Sequence, residues 1–368
     1  MTVSSSPLLI VSSIPVFTEG LVWAAGMAER PCWVMTDERG NLGWRGLKHV
    51  LGVEEIDREM LGTRSEELIS LVPSFCEARG IRTLVAADTR GTRFLHRLGP
   101  KPPEGIRCFP MCEAELFERM YDKGRFAVLM EELSLPSPST SVIHEANDVD
   151  GLKVGPPWLI KPTQGEGGRG IQKANNHAEL RSIIDQHFQA GTSPLVVQAF
   201  ISGEDIDISV LADRGRCVAW TIQQRGGRGS MRFRHDATVL AIAANLARET
   251  EYHGVLHLDL RIDEHTGDVL LIEANPRFWG SLCYSVWSGV NFLDLGIRMM
   301  DGEDVTPAFV PAEGTCPYLA PTRSSIARDL FSGWPMPKGL TAAQQRAWRF
   351  HHGPGSGALR CSVKAWLD

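Results

Sequence analysis

From residue 255 to 275 the chain alternates between apolar and polar positions. Leu256, Leu258, Leu260 and Ile262 take turns with His257, Asp259 and Arg261; beyond a turn at residues 264–268, Leu270, Ile272 and Ala274 take turns with Leu271, Glu273 and Asn275. A period of two marks a strand with one buried face, so this stretch predicts an antiparallel hairpin. Pairing has to bring the apolar sets together, because a slip of one residue would turn a whole set over. That register lays Asp259, Glu273 and Asn275 on one polar face, with Arg277 just past the strand end. Residues 205–213 (DIDISVLAD) alternate in the same way, and 220–224 read as a further strand.

The first hundred residues follow a different rhythm. Apolar runs at 8–11, 32–35 and 81–87 alternate with amphipathic helical patterns at 19–29 and 65–79. Such alternation predicts a parallel sheet with helices on its faces, that is, a doubly wound domain. Residues 98–105, rich in Pro and Gly, read as a linker. Helical spacing then runs from Glu113 to Leu133, interrupted at Asp122-Lys123-Gly124 and ended by Pro136-x-Pro138. Residues 140–200 predict two strands, a glycine loop, a strand, a helix from His177 and a strand at 195–200. A helix over 237–252 stops at His253-Gly254, and pattern fades after residue 310.

The glycine loop lies in WLIKPTQGEGGRGIQ, residues 158–172, and contains a literal G-x-G-x-x-G. A dinucleotide fingerprint needs a helix opening directly after the loop. Here residues 171–174 look like a second strand instead. Strand, loop, strand describes a flap folded over a ligand.

Composition changes this picture little. The chain has 368 residues, 43% hydrophobic and 22% charged, which suits a multidomain globular protein. A net charge of −6 gives no expectation of a nucleic-acid partner. No apolar run approaches the roughly 18 residues of a membrane span, and Leu8-Leu-Ile-Val11 is too short for a signal-peptide core. Eight cysteines without a C-x-x-C pair read as reduced thiols, Cys108 and Cys112 included. The expectation is a soluble, cytoplasmic chain without a membrane partner.

Two carboxylates and an amide oxygen on rigid strands make a hard-oxygen site suited to Mg²⁺ beside substrate phosphates. The same face could equally be a solvated one carrying a few ion pairs. Company tips the balance, since Lys161 and the glycine loop add a cation and a backbone cradle.

That set, in that order, resembles the ATP-grasp superfamily over roughly residues 5–300. Asp122-Lys123 with Pro136-x-Pro138 resembles the family's early D-K … P-x-P segment. Lys161-Pro-x-x-Gly-x-Gly-Gly-Arg-Gly170 resembles its lysine and glycine flap, and Glu273-Ala-Asn275-Pro-Arg277 its closing metal motif. The resemblance implies an α/β (α+β) fold, with a doubly wound parallel-sheet domain over 1–105. A two-lobed ATP-grasp domain would follow, with a small lobe carrying the flap at 106–200 and a large antiparallel lobe with the metal site at 201–310. A C-terminal extension would occupy 311–368.

It also implies roles. Lys123 and Lys161 would contact ATP phosphates, under a flap of Gly165, Gly167, Gly168 and Gly170. Gln198, where many members have Glu, would stand at the adenine hinge with the backbone of Ala199 and Ile201, and Glu204 would hold the ribose. Asp259, Glu273 and Asn275 would bind Mg²⁺, with Mn²⁺ as the alternative ion; Asp259 stands where the family often has Glu. Arg277 and Lys161 would stabilise the transferring phosphoryl group, with Arg225 and Arg228 in a flexible stretch where the family often places another anion contact. The implied reaction activates a carboxylate as an acyl phosphate and joins it to an amine, releasing ADP and phosphate. The implied partners are a small carboxylic acid and an amine, amino acids among them, with a second copy of the chain in a homodimer as a candidate. A bicarbonate-dependent carboxylation, a kinase-like transfer or a non-catalytic nucleotide-binding protein stays open. Trp279, Tyr284 and Trp287, just past the metal motif, would line an aromatic pocket or pack in the core.

Overall fold

The computed structural model describes residues 6–39, 43–99, 102, 104–152, 154–226, 230–305, 314–316 and 340–352. The first unit holds β1 (Leu8–Ser12), α1 (Pro15–Met27), β2 (Cys32–Thr36), β3 (Val50–Glu55), α2 (Ser65–Arg79), β4 (Thr83–Ala86), α3 (Thr89–Leu98) and β5 (Arg107–Cys108). Its five strands are parallel in the order β3-β2-β1-β4-β5, so the winding reverses between β1 and β4. The hydrophobic pattern had shown β1, β2 and β4 but neither edge strand. No residue of β3 is buried and its apolar residues Val50, Leu51 and Val53 are interrupted by Gly52, while β5 has only two residues, so neither stands out as an apolar run.

The helical stretch before the small sheet is two helices, α4 (Ala114–Tyr121) and α5 (Lys123–Glu132). They break at Asp122, whose carboxylate caps α5 by accepting from the N–H groups of Gly124 and Arg125, each at 3.0 Å. Next come β6 (Thr140–Ile143), β7 (Trp158–Pro162), β8 (Gln172–Ala174), α6 (His177–Gln189) and β9 (Leu195–Ala199). These strands form an antiparallel sheet in the order β6-β9-β7-β8, backed by α6 through Leu180 and Ile184.

A third sheet has six strands: β10 (Gly203–Asp213), β11 (Arg216–Arg225), β12 (Met231–Phe233), β13 (Gly254–Asp263), β14 (Val269–Asn275) and β15 (Gly314–Cys316), in the order β14-β13-β10-β11-β12-β15. Helices α7 (Ala237–Glu249), α8 (Leu282–Trp287), α9 (Phe292–Met300) and α10 (Ala342–His352) accompany it. Helix α10 lies in the segment that the sequence left without pattern. One face of this sheet buries Ile206, Ile208, Val210, Leu256, Leu258 and Leu260 with residues of α4, α5 and α7. The other is polar towards β14; further along, Leu211, Ala219 and Val255 share a core with Leu8 and Ile10 of the parallel sheet and Leu21 of α1.

The hairpin β13–β14 forms as the alternation predicts, with a correction. A β-bulge after Asp259 makes Glu273 face Asp259 while Leu271 faces Leu260, leaving Ile272 as the extra residue. Leu271 and Ala274 therefore enter the core, and Leu270 and Ile272 stay partly exposed. The polar residues sit beyond the bulge and keep their common face. Trp279 and Trp287 are buried core residues, which settles them as packing. The cysteines among the described residues are free thiols, and Cys361 lies outside those residues. No helix among them is long and apolar enough to cross a membrane.

Candidate functional site

The glycine loop joins β7 to β8, which pair directly with each other, Ile160 opposite Gln172. A strand, not a helix, follows it, so the dinucleotide arrangement is absent. Gly165, Gly167, Gly168 and Gly170 have φ of 132°, 67°, 71° and 77°, the left-handed region that glycine enters without strain. The loop folds back towards the polar face of the six-stranded sheet. Lys123 Nζ donates to the Gly165 carbonyl at 3.1 Å, and Glu166 bonds the Thr89 hydroxyl and lies 3.1 Å from Arg277 Nε. Only about 10 Å³ remains beneath it, among Lys123, Lys161, Gly168, Arg169 and Glu273.

The predicted residues come together there. Asp259 and Glu273 are directly opposed across β13 and β14, and Asn275 opposes His257. Asn275 Nδ2 donates to Asp259 at 2.9 Å, and Arg277 donates to Asn275 Oδ1 at 2.9 Å. Lys123 Nζ stands 3.3 Å from Glu273 Oε1. Arg277 is 5% exposed and stacks over the Phe17 ring at 4.6 Å. Burial pushes the Glu273 carboxyl up; Lys123 and Lys161 pull the other way and Asp259 adds to the rise. At Asp259 burial also pushes up, but the bond and charge of His257, with Arg277 and Arg225, outweigh it and the carboxyl sits below its usual range.

Lys161 is buried and donates to Gln198 Oε1 at 2.7 Å, while Gln198 donates to the Thr140 hydroxyl at 3.0 Å. Burial lowers the Lys161 ammonium to about 8, with the charge of Lys123 adding and Glu273 and Asp259 opposing. Gln198 thus holds Lys161 in place. Ala199, Ile201 and Glu204 lie along the connection from β9 into β10. Ala199 N–H donates to Ser139 O at 2.9 Å, Ile201 O accepts from Arg261 at 2.6 Å, and Glu204 is exposed with Gln224 Nε2 at 3.5 Å. Arg225 is exposed at the end of β11, and Arg228 lies outside the described residues.

A family model described as "ATP-grasp in the biosynthetic pathway with Ter operon" matches residues 191–318. Among solved structures, a biotin carboxylase from Campylobacter jejuni superposes with a TM-score of 0.65 at 17% identity, covering 84% of this chain and 74% of that one. The chain carries the ATP-grasp fold. The same ATP-grasp likeness extends to an N5-carboxyaminoimidazole synthetase from Staphylococcus aureus, complexed with ADP (TM-score 0.61, 14% identity, 84% and 79% covered), and to an L-amino acid ligase from Bacillus licheniformis (0.59, 15%, 83% and 75%). By sequence, the carbamoyl phosphate synthase arginine-specific large chain of Geobacillus stearothermophilus is 22% identical over 213 residues, 52% of this chain and 20% of that one. The large chain from Clostridium botulinum is 24% identical over 242 residues, 61% and 22%. The chain spans about a fifth of the length of these two relatives.

Several residues of the candidate site were not read from the sequence. Glu166 sits inside the quoted glycine loop, at a position the motif leaves open. His257 lies under the ring of Trp279, with Ser209 Oγ 2.9 Å from Nδ1 and Asp259 Oδ1 3.4 Å from Nε2. The carboxylates of Asp259 and Asp207 raise its pKa against the opposing effect of burial. Asp207, His257 and Asp259 each offer a ligand atom within 4.8 Å of the others. The alternation of DIDIS marks Asp207 as a polar-face residue, and pairing that strand with 254–263 would have found it. Thr89 carries no such signal: its 3.1 Å bond from Arg277 spans 188 positions.

Proposed function

We propose that this chain is an ATP- and Mg²⁺-dependent ligase that activates a carboxylate as an acyl phosphate and joins it to an amine. The observation that carries the reading is the charge set beneath the glycine loop, with Asp259 and Glu273 opposed and Lys123, Lys161 and Arg277 around them. Hard carboxylate and amide oxygens on two rigid strands suit Mg²⁺, so Asp259, Glu273 and Asn275 would hold it, with Mn²⁺ the alternative. When bound, the ion neutralises charge on the triphosphate.

Lys123 and Lys161 would face the phosphates, and the N–H groups of Gly165, Gly167, Gly168 and Gly170 would close over them. Gln198 positions Lys161, the backbone of Ala199 and Ile201 would read the adenine edge, and Glu204 would hold the ribose. The reaction then needs charge cancellation, with no covalent help from the protein. A carboxylate oxygen attacks the γ-phosphorus, and ADP leaves with the electron pair of the broken P–O bond. An amine nitrogen then bonds the acyl carbon, phosphate leaves with the C–O electron pair, and the surplus N–H proton passes to solvent. Arg277 would hold the acyl phosphate, and the loop would exclude water from it. The shared fold with an L-amino acid ligase and with a synthetase complexed with ADP supports this reading.

The test is ADP release with ATP and Mg²⁺ against panels of carboxylic acids and amines, with products identified by mass. Oxygen-18 in the substrate carboxylate is expected in the released phosphate. AMP and pyrophosphate would overturn the mechanism, and ADP release that needs bicarbonate but no amine would move the chain to carboxylation.

A further inference from the structure

The polar face of the six-stranded sheet extends past the proposed metal seat. One row of directly opposed residues runs Glu273, Asp259, Asp207, Gln223 across β14, β13, β10 and β11. The next runs Asn275, His257, Ser209, Thr221. Each side chain of that second row has a partner, since Asn275 bonds Asp259, Ser209 bonds His257, and Thr221 lies 3.2 Å from the Ser285 hydroxyl. In the first row Asp207 and Gln223 have no role so far.

Gln223 is fully buried; its Nε2 donates to the Ser281 hydroxyl at 2.8 Å, and its Oε1 has no hydrogen-bond partner among the described residues. Leaving a buried acceptor unmet costs about 1–3 kcal/mol. Directly across from it, in the usual spacing of a cross-strand pair, stands the carboxylate of Asp207. Both groups are acceptors, so only a donor completes them. A second anion there would be repelled by Asp207, Asp259 and Glu273. A primary ammonium, with three N–H donors and a positive charge, suits both. Arg225 follows Gln223 by two positions on the same strand face, and its guanidinium acts on both Asp207 and Asp259. It offers a fork for a carboxylate on the same small molecule.

We propose that Asp207, Gln223 and Arg225 form the acceptor subsite and take an amino acid by its ammonium and carboxylate groups, the ammonium losing a proton to solvent before its nitrogen attacks the acyl carbon. This rests on the ligase reading and adds the class of the amine. The full-length chain is saturated with MgADP, and each of the twenty proteinogenic amino acids is titrated in turn by calorimetry, with methylammonium as a probe lacking the carboxylate. At least one amino acid is expected to bind, and more tightly than methylammonium. D207N, which keeps the shape and removes the charge, should weaken it about 10- to 100-fold, as for a lost charge-assisted bond. Q223M, which removes the unmet oxygen, should weaken it less, and R225A should bring the amino acid down to the methylammonium level. Retained MgADP binding and a parent-like thermal melt show that each variant is folded. Unchanged amino-acid affinity in D207N, or no binding by any of the twenty to a chain that binds MgADP, overturns the subsite. Mn²⁺ binding that D207N abolishes and that displaces the amino acid would replace it with a second cation site. Failure of the parent chain to bind MgADP sinks the ligase reading instead.

Discussion

Two carboxylate clusters lie on different sheets, and they handle charge in opposite ways. On the antiparallel face Glu273 and Asp259 each have a basic partner, Lys123 at 3.3 Å from Glu273 and His257 at 3.4 Å from Asp259. At the carboxyl edge of the parallel sheet, Asp88 accepts from the N–H groups of Ser13 and Gly91, at 2.5 and 2.9 Å. Glu38 accepts from the Thr18 hydroxyl at 2.9 Å, and its other oxygen is buried without a partner among the described residues. Burial, with Asp88 and Asp37 adding and Thr18 and Arg45 opposing, lifts the Glu38 carboxyl to about 7. Cations that can be lent to a ligand suit the first cluster to chemistry. Neutral hydrogen bonds among Ser12, Thr18 and Glu38 suit the second to joining α1 to β1 and β2.

If that contrast is right, neutralising one acid in each cluster has opposite effects. E273Q should lower turnover by about 10³-fold at saturating Mg²⁺, on the scale of a lost electrostatic group at the reacting centre. Its melting temperature should stay close to the parent's. ADP release and a thermal melt check both, and near-normal activity would remove Glu273 from the metal seat. A smaller loss is expected from R277K, about 10²-fold, because an ammonium cannot reproduce a fork that reaches Thr89, Asn275 and the Phe278 carbonyl together. A turnover loss under about threefold would say that Arg277 only props the two sheets apart.

The two clusters also differ in how far the sequence revealed them. Asp259, Glu273 and Asn275 lie on one contiguous hairpin, so a period of two and a single turn sufficed to place them together. The glycine loop was legible because its strands are its immediate neighbours in the chain. The bulge was not, since an extra residue leaves no mark on an alternation that looks unbroken. Asp207 and Gln223 needed the register of three strands. Ser12, Thr18, Glu38 and Asp88 meet only because a parallel sheet brings the ends of separate strands together, and no local pattern encodes that.

Lys161 sharpens the comparison on the antiparallel side. With its pKa lowered to about 8, it is charged at neutral pH and largely neutral near pH 9. A triphosphate placed against it would favour the charged form and draw a proton back. ATP binding at about pH 8.5 should therefore take up a fraction of a proton, and binding at about pH 6.5 none through this group. Calorimetry in buffers of different ionisation enthalpy measures it. Equal uptake in parent and K161M would show that Lys161 does not face the phosphates.

The smallest effect expected is on the parallel-sheet side, and it concerns stability. The folded pKa of Glu38, about 7, lies above its ordinary value of 4.5, so the folded chain holds a proton that the unfolded chain releases. That favours folding below pH 4.5, and the advantage is lost as pH rises through about 7, where the buried carboxylate must ionise. A glutamine keeps the shape and has no charge to acquire. E38Q should therefore be more stable than the parent at about pH 8, by on the order of 1 kcal/mol, with the difference shrinking towards about pH 5. Urea unfolding at the two pH values checks the sign, and turnover should change little because Glu38 bonds Thr18 rather than Arg277. An E38Q chain less stable than the parent at pH 8 would mean that the carboxylate is ionised and paired after all. The parallel-sheet cluster would then carry charge as the hairpin does, and the difference drawn between the two sheets would not stand.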